Sequence, residues 1–137
     1  MTGAWSGTYL ASCEAPWQET CGSPVGPPPP TQSVEWLIQE DSGQLTGLLI
    51  LKGYFSAMIP VSGHRLPDNS IALSGDATTR SRCDTALHYA IAEWHVYPDA
   101  SLSQLSGSFI ITMTHNLNSC YYTDLIVHGA AVMLTRE

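Results

Sequence analysis

Eight stretches of alternating apolar and polar residues follow one another along this chain, and most links between them hold only a turn. The stretches lie at about residues 3–12, 32–40, 44–52, 55–61, 69–75, 85–97, 104–115 and 121–136. Alternation with a period of two gives a strand one buried face and one solvated face. "EDSGQ" (40–44), "PDASLSQ" (98–104) and "HNLNSC" (115–120) are turn sequences joining consecutive stretches. Links this short make neighbours antiparallel, because parallel strands need long crossovers. An open sheet of eight strands would expose two edges, and closure removes both. The expected fold is therefore all-β: an eight-stranded antiparallel up-and-down barrel, formed as a single domain by residues 1–137.

Composition agrees with this fold and excludes some functions. Only 12% of residues are charged, and no long run places apolar residues at helical spacing between caps. The net charge is −7, with Lys52, Arg65, Arg80, Arg82 and Arg136 as the only fixed cations. Such a chain has no basic stripe for phosphates, so nucleic acid is not an expected partner. No apolar run reaches the roughly 18 residues that span a membrane, so no membrane span is expected.

One connection is long. Residues 13–31 read "CEAPWQETCGSPVGPPPPT", with four consecutive prolines that cannot enter a ladder. A long loop in a compact domain is commonly a lid or binding loop, and Trp17 sits on this one. Strands that alternate up and down sort the loops into two ends. The 13–31 loop and those near 53–54, 76–84 and 116–120 fall at one end, here called the top. Cys13, Cys21, Cys83 and Cys120 all lie in this set. They contain no Cys-x-x-Cys pair, which disfavours zinc, and their clustering makes disulfides geometrically possible. The favoured pairing is Cys13–Cys21 with Cys83–Cys120. Paired cysteines would place the protein in the periplasm or outside the cell. Free thiols would place it in the cytoplasm. Patterned sequence begins almost at Met1, so the exported reading also requires a leader already removed.

At the bottom, Trp5 on the first strand and Arg136 on the last become neighbours if the barrel closes. A guanidinium over an indole is worth about 0.5–2 kcal/mol. "GAWSGTY", "SGQLTGLL", "LSQLSGSF" and "MLTRE" form a series. With Gly3-x-Trp5 and the terminal arginine, it resembles the calycin superfamily, above all small bacterial lipocalin-like or avidin-like barrels. The resemblance covers nearly the whole chain as a strand pattern. The C-terminal helix of lipocalins is missing, and the biotin-binding set of avidin does not map. What the resemblance implies is a small-molecule binder, with a minority of such barrels acting as isomerases or cyclases.

Taking Trp5 as inward, the first strand sends Gly7, Tyr9 and Ala11 inside. The second sends Val34, Trp36 and Ile38, and the third Leu45, Gly47, Leu49 and Leu51. The seventh sends Leu105, Gly107, Phe109, Ile111, Met113 and His115. For the sixth, the face His88, Ala90, Ala92, Trp94 is preferred, because the other face carries Glu93, costly to bury unpaired. The expected ligand-binding residues are Tyr9, Trp36, Leu49, His88, Trp94, Phe109, Ile111, Met113 and His115, with Trp17 over the mouth. An aromatic interior with a few polar groups suits a small apolar or aromatic ligand. The same residues could instead simply fill the barrel.

Three other readings are weaker. His88, His115 and Tyr9 are candidate acid–base groups for a barrel enzyme, although nothing in the sequence fixes their separation. A protein-interaction or inhibitor module would use the cysteine-bearing loop. Glu93 and His95 share a strand face and could hold a metal with help, but such pairs are usually solvated, and no cofactor or metal is expected.

Overall fold

The structure, a computed structural model, describes residues 1–14, 31–53, 56–80, 86–115 and 124–137, the side chains of Cys13 and Glu14 excepted. The strands are β1 (Gly3–Glu14), β2 (Thr31–Asp41), β3 (Gln44–Lys52) and β4 (Ala57–Arg65), then β5 (Ile71–Arg80), β6 (Ala86–Pro98), β7 (Gln104–His115) and β8 (Leu125–Arg136). All neighbours are antiparallel, and β8 pairs with β1 to close the barrel in sequence order. No helix occurs among the described residues. The expected eight-stranded meander barrel is the fold.

Three boundaries differ from expectation. β4 runs on through Pro60 to Arg65, because Pro60 points outward and interrupts no core contact. β5 starts later and continues to Arg80, and β8 starts at Leu125.

The core is one layer of inward side chains. Trp5, Trp36, Leu49, Ile59, Val96, Leu105, Ile111, Val127 and Leu134 are completely buried, and Tyr9 and Phe109 nearly so. Burying each such side chain contributes about 1.5–3 kcal/mol. Two bulges interrupt the alternation. In β6 the register with β7 shifts between Ile91 and Glu93, so Ala92 is an inserted residue. In β8 the shift falls beside Ala131, which takes a left-handed φ of 47°. Inward positions are therefore Leu87 and Tyr89 before the first bulge, and Trp94 and Val96 after it. In β8 they are Val127 and Gly129 before its bulge, and Val132 and Leu134 after it.

This corrects the expected face of β6. Trp94 is inward, but His88 and Ala90 are not, since one inserted residue reverses every side chain beyond it. Glu93 stays exposed, as its charge requires. Gly129 is needed where it stands. It lies opposite Phe109, and a methyl group there would overlap the Phe109 ring.

Candidate functional site

The two ends of the barrel differ. The bottom is sealed by its own chain. Trp5 pairs with Arg136 across the β1–β8 seam, and the guanidinium carbon lies 4.8 Å from the indole centroid. The Trp5 indole N–H donates to the Met1 carbonyl at 2.9 Å, and Met1 is itself buried. Below this plug, Glu40 accepts from Arg65 Nε at 2.8 Å and from the Met1 amino group at 3.0 Å. These cations, the Arg65 hydrogen bond first, hold the Glu40 carboxyl below its ordinary range, against the opposing effect of burial.

Above the plug lies an aromatic cluster. The Trp36 and Trp94 rings meet edge to face at 5.0 Å, Trp94 stacks on Phe109 at 5.9 Å, and Tyr9 leans on Phe109 at 5.1 Å. Four of the residues expected at the site, Tyr9, Trp36, Trp94 and Phe109, are thus brought together. Leu49, Ile111 and Met113 also belong to the buried interior. The Trp94 indole N–H has a partner, the Val96 carbonyl at 3.1 Å. Two other polar atoms do not: the Tyr9 hydroxyl and Trp36 Nε1 are buried without any hydrogen bond. Burial alone pushes the Tyr9 phenol up to about 12, so it stays a protonated donor at neutral pH. Among the described residues, Gln32 is the only buried polar or charged side chain. The cluster is uncharged and aromatic, and it holds two donors without partners.

Toward the top the wall loosens. Ala57, Leu87, Tyr89, Met113 and Leu125 keep 7–8% of their surface exposed, against 0% for Leu49, Ile59 and Ile111. Leu87 and Tyr89 were not expected here. Their signal was present in the sequence, because the large apolar residues of β6 change parity between Ile91 and Trp94.

The histidines stand apart from the cluster. His88 is on the outer surface, its Nε2 3.0 Å from Asp76 Oδ2, so it does not face the barrel interior. His115 lies on the upper rim, where Nδ1 sits 2.7 Å from Asp124 Oδ1 and the backbone N–H donates to the same oxygen at 3.1 Å. Tyr9, His88 and His115 therefore form no shared acid–base constellation. His95 contacts Tyr97 on the outside, and no group of three metal-ligating side chains occurs among the described residues. Trp17, Cys21, Cys83 and Cys120 lie outside the described residues, as do both expected disulfides. Among the described residues, no helix is long and apolar enough to cross a membrane.

Comparisons with protein-family models, with curated proteins and with solved structures each found no match for this chain.

Proposed function

We propose that this barrel binds one small, neutral, apolar or aromatic molecule in its interior, taken in through the upper end. The observation that carries the reading is the pair of unpartnered buried donors, Tyr9 Oη and Trp36 Nε1, beside the aromatic cluster. Each such group left unsatisfied costs about 1–3 kcal/mol. A ligand carbonyl, ether or ring nitrogen would offset that cost. The ligand is neutral because no buried cation or carboxylate is available among the described residues to pair with a charge. The calycin resemblance belongs to the same proposal and points the same way.

Native mass spectrometry of the purified protein, followed by titration with the neutral fluorophore N-phenyl-1-naphthylamine, tests it. The expected result is a one-to-one complex with quenching of Trp36 and Trp94 emission. Absence of uptake, with no adduct on the purified protein, would refute the reading.

A second reading, an enzyme on the same barrel, is favoured by the His115–Asp124 contact, since a carboxylate on Nδ1 orients an imidazole for proton transfer. On that reading His115→Ala lowers turnover by about 10²-fold or more, whereas a binder loses affinity at most.

A further inference from the structure

β5 changes partner halfway along its length. Its lower half, Ile71–Gly75, pairs with β4 at Val61–Arg65. Its upper half, Asp76–Arg80, pairs only with β6 at Ala86–Ala90. Carried upward, the β4–β5 register would set Met58 against Thr78, but no pair forms above Val61 and Gly75. The upper half of β4 is held by β3 alone, with Leu51 opposite Ala57. The break begins at Pro60, which has no N–H to offer a neighbour. Among the described residues, the upper ends of β4 and β5 are therefore unpaired with each other, which leaves a notch between them.

The described residues that line the notch are uncharged, although Asp76 and Arg80 stand on the same half of β5. A cleft of about 340 Å³ lies there, lined by Leu51, Ser56, Ala57, Met58, Thr79 and Tyr89. Three inward positions on its lips are small, Ala57 on β4 and Ala77 and Thr79 on β5, and the completely buried Ile59 forms the floor below them. Met58 on the outer lip is 57% exposed, an apolar side chain in water beside an opening. The β5 lip has only β6 for support, and His88 reinforces it by its contact with Asp76 at 3.0 Å.

From these features we infer that the notch between the upper halves of β4 and β5 is the port through which a neutral apolar or aromatic molecule reaches the interior. The inference rests on the binding reading above and adds the route and its gating residues. The small side chains at Ala57, Ala77 and Thr79 leave passage, and Leu51, Met58 and Tyr89 in the lining favour contact with an uncharged aromatic group. Among the described residues that line the cleft none is a cation, so an anion finds no partner there, and the net charge of −7 also repels it. Side-chain size at Thr79 and Met58 then sets how fast a ligand enters, while the aromatic cluster around Tyr9 and Trp36 sets how tightly it is held.

The test is stopped-flow uptake of N-phenyl-1-naphthylamine, read by its own emission on direct excitation. Thr79→Trp puts a bulky side chain into the notch from an exposed position, against Ala57 and Tyr89, and Thr8→Trp on the outer face of β1 is the control. Circular dichroism and thermal melts establish that both variants fold. The expected result is an association rate lowered at least tenfold in Thr79→Trp, with dissociation slowed in step, so that Kd changes by less than threefold. The control should match the parent. An unchanged association rate in a folded Thr79→Trp overturns the port. So does a loss of affinity arising only from faster dissociation, which would make the notch a seat and not a passage. If Thr79→Trp fails to fold, Met58→Trp on the opposite lip carries the same expectation. Failure of the parent to take up the probe is a different outcome: it removes the binding reading, and the port falls with it.

Discussion

Replacing Tyr9 with phenylalanine should make the empty protein more stable and the loaded one weaker. The side chain is 1% exposed, its ring packs on Phe109, and its hydroxyl has no partner. Tyr9→Phe deletes only that oxygen and keeps the ring contact. An unsatisfied buried hydroxyl costs about 1–3 kcal/mol, so removing it should raise stability by about 1 kcal/mol. For a chain of this size that is roughly 3–5 °C in Tm. The same oxygen is a donor to the proposed ligand, and its loss should raise the probe's Kd about five- to tenfold. Alkaline pH supplies an independent check. A phenol raised from 10.0 to about 12 on folding contributes stability present below pH 10, and that contribution is lost as pH rises toward 12. Tyr9→Phe should therefore flatten the fall in stability across that window relative to the parent. Differential scanning calorimetry at neutral and alkaline pH, with probe titrations, measures all three quantities. A variant less stable than the parent by more than about 1 kcal/mol would refute the reasoning, because the hydroxyl would then have a partner that stabilises the fold.

Glu40→Gln should weaken the bottom seal by about 1–3 kcal/mol at neutral pH, read by urea denaturation. Because the folded state holds this carboxyl below its usual range, its contribution is present above the unfolded pKa and lost as pH falls through the folded one. The variant should accordingly lose less stability than the parent on acidification. Ala131→Gly should stabilise the protein by about 0.5–1 kcal/mol in thermal melts, since a left-handed φ of 47° costs alanine energy that glycine escapes. Gly129→Ala should destabilise it by about 1–3 kcal/mol, because the added methyl displaces the Phe109 ring from the aromatic cluster.

The barrel and its bottom plug were legible in the sequence because both rest on counting. Short links dictate antiparallel neighbours, and eight alternations bring Trp5 beside Arg136. The inward faces of β1, β2, β3 and β7 follow from simple parity, so Tyr9, Trp36, Leu49 and Phe109 were found. Parity fails wherever one residue is inserted, and Ala92 and Ala131 are such residues. The expected face of β6 kept Glu93 out of the core with no bulge at Ala92, which is why His88 was expected inside and Tyr89 was passed over. The partner switch of β5 was equally hidden, since alternation records which face a side chain takes and says nothing about which neighbour receives the backbone hydrogen bonds. The lack of partners for Tyr9 Oη and Trp36 Nε1 depends on atoms from several strands and has no local signature.

The seam between β1 and β8 bears on how the barrel is made. It joins Trp5 to Arg136, so the pairing that turns a sheet into a barrel spans almost the whole sequence. Contacts of such separation are formed late and slow the search for the native state. As it emerges from the ribosome, the chain has seven strands in place with β1 and β7 still unpaired on their outer sides, the form of the molecule most open to edge-to-edge association. Arrival of β8 satisfies both edges at once, and the cation that locks the plug comes with it.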